Sequence, residues 1–356
     1  MPRVDWFPCR IEPLTFFGFN RCEVLPGVTI SRMSKSETRR LAELREGYRD
    51  VYPMSDSPNL LISVDQDKYL PFLIERVTSE GFDIAKDIAQ IPKEWRDHVL
   101  LTSYEPVRHL LTSMALLKPF RLTTPSGKYS FDKITIGKAA QLRPSSFSPF
   151  RPYQESSALL GYRPYRKSAP PVSGRELRKI VDALEPYYRP AYWRSDRLTV
   201  ALSNFWSFLF SPFPEHSFLS LVVILEALVS TSNTEVTHQI SERSAVLLEG
   251  SPDGRLAIYK KIKTLYSVRS QIVHGSMVKK ITHQVIQGSM IPTNIARETS
   301  YVNAQKSIIS VSRYCEIAEL SVRMILAVLN EPALMAAVKS GKTKQIDDFY
   351  LHRLFS

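Results

Sequence analysis

From Ser173 onward the apolar residues of this chain return every three or four positions, segment after segment. That period commits the C-terminal half to packed amphipathic helices. A capping-box pair, Ser173 and Glu176, opens the stripe Leu177, Ile180, Val181, Leu184, Tyr188. Residues 198–210 are apolar on most faces, so a central helix is expected there, followed by another over 217–230. A third box, Ser232 and Glu235, predicts a helix ending near residue 249, and Asp253 is the expected cap of the next one. The longest stripe, Ile308, Val311, Cys315, Ala318, Val322, Ile325, Leu329, alternates three and four residues over three heptads. The expected architecture of this half is an all-α bundle.

The N-terminal half carries mixed signals, which predict an α+β domain. Val28-Thr29-Ile30 is extended in character, Ser34 and Glu37 form a capping box, and Leu60-Leu61-Ile62-Ser63-Val64 is a strand candidate. Helical character returns over 107–117. The segment 120–123, the Thr124-Pro-Ser-Gly-Lys128 turn and 129–136 together suggest a hairpin. Between Pro144 and Pro171 lie six prolines and six serines interleaved with aromatics, a composition suited to a linker or an extended segment. The expected domains are therefore 1–140 mixed α/β, 141–173 linker, 174–330 helical bundle and 331–356 a helical tail.

Composition excludes several classes. A chain of 356 residues with 44% hydrophobic and 23% charged residues is long enough for two folded domains and too apolar to be disordered. Cys9, Cys22 and Cys315 are odd in number and scattered, without zinc or disulfide spacing, which points to a reducing cytoplasm and to no metal or cofactor. The most apolar run, 218–229, is twelve residues long and contains Glu226, so no membrane span is expected. The formal charge is +12, from 47 Lys+Arg against 35 Asp+Glu, which favours polyanionic partners. The excess is local. No acid occurs from Arg255 through Arg297, a window that holds Lys260, Lys261, Lys263, Arg269, Lys279 and Lys280.

That window contains an arginine and a histidine five residues apart. Arg269 falls within the stripe Ile258, Ile262, Leu265, Arg269, Ile272. A guanidinium among hydrophobes must be paired or face a cleft or interface, because an unpaired buried charge is very costly. Gly275 after His274 is a C-cap signal, placing the imidazole at the C-terminal end of the helix.

The order Phe218…Leu225-Glu226-Ala227-Leu228, Ile240-Ser241-Glu242-Arg243-Ser244-Ala245, then Leu265-Tyr266 and Arg269-Ser270-Gln271-Ile272-Val273-His274-Gly275 resembles the HEPN domains of the ApeA-like group over residues 174–330. Residues 25–34 with Glu37 look like the domain that often precedes them. The resemblance implies a helical bundle that dimerises, metal-independent endoribonuclease activity and a role in toxin systems or phage defence. Many HEPN proteins carry Asn, Asp or His where this chain has Ser270, although serine is usual in the group it resembles.

RNA supplies its own nucleophile, the 2′-OH, so cleavage needs only proton transfer and stabilisation of a charged phosphorane. His274 is the candidate acid or base and Arg269 the candidate phosphate ligand, giving a 2′,3′-cyclic phosphate and a 5′-OH. Five residues leave the two side chains about 140° apart on one helix, so a site shared across a two-fold axis is expected. Alternatives stand beside each role. His274 can be an ordinary helix-terminal histidine, Glu226 can pair with Arg269 or with Arg243, and Tyr266 can stack a base or pack. Lys260, Lys261, Lys263, Lys279 and Lys280 are candidates to track RNA, or a solvated face. Residues 276–302 suggest a flap or a plain loop, and the N-terminal domain a sensor of a protein or nucleic-acid trigger. A HEPN module that binds RNA, a nucleotide or a protein without catalysis is the competing function.

Overall fold

The computed structural model describes residues 3–12, 16–46, 59–79, 104–118, 121–123, 127–136, 139–149, 170–187, 196–210, 214–232, 234–274 and 311–355. The chain divides into two compact units, Met1–Gly161 with Tyr165–Trp193 and Tyr162–Pro164 with Arg194–Ser356. An α+β unit is thus followed by a helical one.

The first unit is built on an antiparallel sheet of strands β1 (Arg3–Glu12), β2 (Arg21–Leu25), β3 (Val28–Arg32), β4 (Leu60–Asp65), β5 (Arg121–Thr123), β6 (Gly127–Ile136) and β7 (Ala139–Pro149), in the order β2-β3-β4-β1-β6-β7. Residues 4–9 of β1 are buried, consecutive side chains included, so the strand is covered on both faces and shows no polar alternation. Pro8 pairs with Leu61 of β4 and lies between the stretches of β1 that pair with β6, Arg3–Trp6, and with β5, Arg10–Glu12. Asp5, buried between these strands, accepts from Arg3 Nε at 3.0 Å and Gln66 Nε2 at 2.9 Å. The β2–β3 hairpin turns at Gly27, whose φ of +78° suits glycine and whose absent Cβ would lie 2.7 Å from the Asp65 carbonyl.

Helices α1 (Lys35–Glu46), α2 (Gln66–Ser79), α3 (Tyr104–Leu117) and α4 (Gly174–Leu184) also belong to this unit. The Ser34–Glu37 and Ser173–Glu176 capping boxes both form, the second with the Ser173 N–H donating to Glu176 Oε2 at 2.8 Å. Leu41 of α1 packs with Val4, Trp6 and Leu61 on one sheet face.

Three expectations change here. The segment 121–123 pairs with β1, and the hairpin is instead β6–β7, because β7 continues to residue 149 through what composition marked as linker. Residues 150–169 of that linker lie outside the described residues. Helix α4 packs on β2 and α3, so the division falls after residue 193 rather than at 173. Its apolar stripe is real, but the surface it covers belongs to the sheet unit.

The second unit contains α5 (Arg197–Phe210), α6 (Pro214–Val229), α7 (Val236–Leu248), α8 (Pro252–Val273), α9 (Val311–Asn330), α10 (Pro332–Ser340) and α11 (Thr343–Phe355). Helix α6 is its hub, packing against α5, α7, α8 and α9. Phe218, Leu221, Val222, Ile224, Leu225, Leu228 and Val229 are buried on it, almost all the way round. On α9 the buried residues are Tyr314, Ile317, Ala318, Leu320, Ser321, Val322, Met324, Ile325 and Val328, which keep the middle of the expected stripe, shift its ends by one residue and widen it through Leu320 and Met324. Ser321 donates to the Leu221 carbonyl at 3.1 Å, tying α9 to α6.

Two caps differ from expectation. Helix α7 starts at Val236 after Glu235 in the left-handed region, and Ser232 instead closes a turn by accepting from Thr234 N and Gln239 Nε2. Helix α8 is capped by Ser251, which accepts from Gly254 N, with Pro252 in the first turn; Asp253 lies inside the helix. The expected helical tail forms two helices, α10 and α11, which are packed into the unit through Leu334, Val338, Ile346 and Tyr350 rather than trailing from it. Among the described residues no single helix is long and apolar enough to cross a membrane.

Candidate functional site

Helix α8 buries Ile258, Ile262, Leu265 and Val268, a four-three-three spacing that defines the face it packs inward. At about 100° per residue Arg269 falls between Ile258 and Ile262 on that face, as the stripe predicts, and its side chain is 32% exposed. Val268 is buried beside the stripe, and Ile272 is only half-buried.

Arg269 is paired. Its Nε lies 3.7 Å from Glu226 Oε1, on the neighbouring helix α6, and its guanidinium sits 5.5 Å from the centre of the Tyr266 ring one turn back. Tyr266 donates its phenolic hydrogen to the same Glu226 oxygen at 2.7 Å. Burial, then the bond to Glu226 and the carboxylate's charge, push the Tyr266 phenol up to about 12, with Arg269 pulling the other way. Among the described residues the terminal nitrogens of Arg269 make no hydrogen bond, which leaves the outer edge of the guanidinium available.

Between the two partners left open for Glu226, the geometry decides for Arg269. Arg243 is committed elsewhere: it pairs with Asp347 at 2.5 Å and donates to the Val229 carbonyl at 2.7 Å and to Thr231 Oγ1 at 3.0 Å. Arg197 donates to the carbonyls of Ala227 and Ser230. Two arginines thus satisfy the C-terminal carbonyls of α6, the helix that carries Glu226. Sequence reasoning missed this cluster, since Asp347 lies 104 residues from Arg243 and no local pattern joins them.

His274 is the C-cap of α8 and is exposed, its backbone N–H donating to the Ser270 carbonyl at 3.0 Å. Ser270 is half-buried beside it. Lys260, Lys261 and Lys263 are exposed along the same helix. At about 100° per residue, Lys260, Lys263 and His274 fall within about 60° of one another, Lys261 lies about 100° from Lys260, and Arg269 lies about 140° from His274. The structure therefore gathers Arg269, Tyr266 and Glu226 on the α6-facing side, and His274 with two lysines on the solvent side. Gly275, Lys279, Lys280 and the segment 276–302 lie outside the described residues. Of the other histidines, His109 is buried in α3, His216, His238 and His352 are exposed, and His98 and His283 lie outside the described residues. Among the described residues no group of three His, Cys, Asp or Glu side chains is arranged to hold a metal ion. Compared with known proteins, the chain matches no family model, no curated protein and no solved structure.

Proposed function

We propose that this chain is a metal-independent endoribonuclease of HEPN type, acting as a homodimer in a toxin or antiviral defence setting. The observation that carries the reading is that one helix, α8, bears an exposed histidine at its C-cap, a partly exposed arginine five residues earlier and exposed lysines along its length. In the proposed reaction the ribose 2′-OH attacks the adjacent phosphorus and loses its proton to a histidine. The 5′-oxygen leaves and takes a proton from a second histidine, so a 2′,3′-cyclic phosphate and a 5′-OH result. Arg269 offers its outer guanidinium edge to the phosphorane oxygens. Because Arg269 and His274 diverge on one helix, a second copy is expected to complete the site, bringing two arginines and two histidines to one cleft. Lys260 and Lys263, on the His274 face, follow the RNA backbone. The first unit is assigned the recognition of a trigger or of the RNA.

Purified protein is expected to cleave RNA in EDTA, and His274→Ala to remove cleavage by at least about a hundredfold while leaving the circular dichroism spectrum unchanged. End-group analysis of the products is expected to find the cyclic phosphate. Unchanged cleavage by the purified His274→Ala protein would sink the assignment.

One observation favours a second reading. The Glu226–Tyr266–Arg269 cluster is a self-sufficient structural link between α6 and α8, as a HEPN module that binds RNA, a nucleotide or a protein without cleaving would need. Binding without cleavage, together with loss of stability in Arg269→Ala, would select it.

A further inference from the structure

Tyr266 and Arg269 address the same oxygen, Glu226 Oε1, and they do so unequally. The phenol holds it at 2.7 Å, whereas the guanidinium Nε stands at 3.7 Å, within ion-pair range and beyond hydrogen-bond length. The ring of the same tyrosine lies against the guanidinium, 5.5 Å from centre to carbon. One side chain thus supports Arg269 from the side and occupies the acceptor in front of it.

We propose that Tyr266 is a positioning residue that keeps Arg269 available to a phosphate, by occupying the carboxylate oxygen that would otherwise bind the guanidinium directly. The physical reason is competition. A carboxylate facing an arginine across so short a gap is drawn toward a charge-assisted pair of about 2.8 Å, and a donor already seated on the facing oxygen competes with that approach. Such a pair would hold the guanidinium at the Nε edge and offset its charge, so that a phosphate meets a weaker and differently aimed ligand. With the phenolic hydrogen on Oε1, the acceptor site nearest the arginine is filled and the guanidinium keeps its outer edge. The upward push on the Tyr266 phenol agrees, because the cluster needs that group as a donor. This inference rests on the reading that Arg269 binds phosphate.

The test uses the full chain and two probes: an end-labelled mixed-sequence single-stranded RNA for cleavage, and a single-stranded DNA of the same sequence, which lacks the 2′-OH, for binding. Tyr266→Phe keeps the ring and removes the donor. It is expected to weaken DNA binding and to lower kcat/KM for RNA, each by roughly tenfold. Glu226→Gln removes the charge that captures Arg269 and is expected to bind at least as well as the parent. In the double variant Tyr266→Phe/Glu226→Gln, binding and cleavage are expected to return to the Glu226→Gln level. A purely structural tyrosine gives no such rescue, so a double variant as weak as Tyr266→Phe overturns the inference, as does a Tyr266→Phe protein that binds and cleaves normally. If Tyr266→Phe does not fold, the single Glu226→Gln protein still decides, since loss of binding with a retained fold contradicts capture by the carboxylate. Arg269→Ala separates the two levels. Wild-type binding and cleavage by that variant overturn the phosphate reading itself, whereas loss in Arg269→Ala without loss in Tyr266→Phe overturns only the role of the tyrosine.

Discussion

His109, 2% exposed on α3, is enclosed far enough that burial holds its imidazole down at about 3, against an opposing hydrogen bond with the Val181 backbone on α4. The folded state therefore keeps this group neutral, while an unfolded chain protonates it near the ordinary value of about 6.5. Its contribution to stability is complete above that value and is lost as the pH falls from about 6.5 toward 3, at up to about 1.4 kcal/mol per pH unit. Chemical denaturation of the first unit at pH 7, 6, 5 and 4 is expected to show this slope, and His109→Gln to flatten it. A slope unchanged in the variant would assign the acid sensitivity to other groups. Single residues such as this one are only half legible in a sequence, because nothing local to His109 says whether its ring is buried or exposed. Glu226 was ambiguous in the same way. Its helix was correctly read, but both Arg243 and Arg269 fit as partners until Asp347 was seen to hold Arg243.

At the scale of elements, helix α8 was legible in its inward face through Ile258, Ile262 and Leu265 and in its end at His274, which follow from local spacing, whereas its cap, Ser251, and the burial of Val268 were not. Its solvent face makes a prediction of its own. Lys260 and Lys263 share the side of His274 and Lys261 is rotated away, so the three lysines are not equivalent toward a nucleic-acid backbone. Removing either Lys260 or Lys263 is expected to reduce the slope of log K against log salt by about 0.7 for single-stranded RNA, and removing Lys261 to reduce it much less. Equal changes for all three would mean a diffuse field rather than a track along α8. Strand β1 was the least legible element. It is buried on both faces and carries Pro8 opposite Leu61 of β4, so it lacks the polar alternation of a half-buried strand and holds at its centre a residue that local signals place outside central strands.

At the scale of the molecule, the last two helices belong to the helical unit's core, through Ile346, Tyr350 and the Asp347–Arg243 pair. Arg243 is 12% exposed in its side chain, so removing its partner leaves a poorly solvated charge. Asp347→Ala is expected to destabilise the second unit by roughly 1–3 kcal/mol, the lower end reflecting the partial exposure of the carboxylate. Thermal unfolding should show the transition of the helical unit shifted down and that of the first unit unmoved; a shift of both would mean that they unfold as one.

The sequence by itself determined the helical character of the second half, the α+β character of the first, the capping boxes at Ser34 and Ser173, and the place of His274 at a helix end, because each depends on residues within a few turns of one another. Tertiary structure alone decided which surface each apolar face covers. An amphipathic stripe states only that a face is buried, so α4 looked like the first helix of the bundle and proved to cover the sheet. The same distinction governs the candidate site. Local spacing placed Tyr266, Arg269 and His274 on one helix and set the arginine and the histidine about 140° apart, and only the packing of α6 against α8 brought Glu226 to the arginine and the tyrosine.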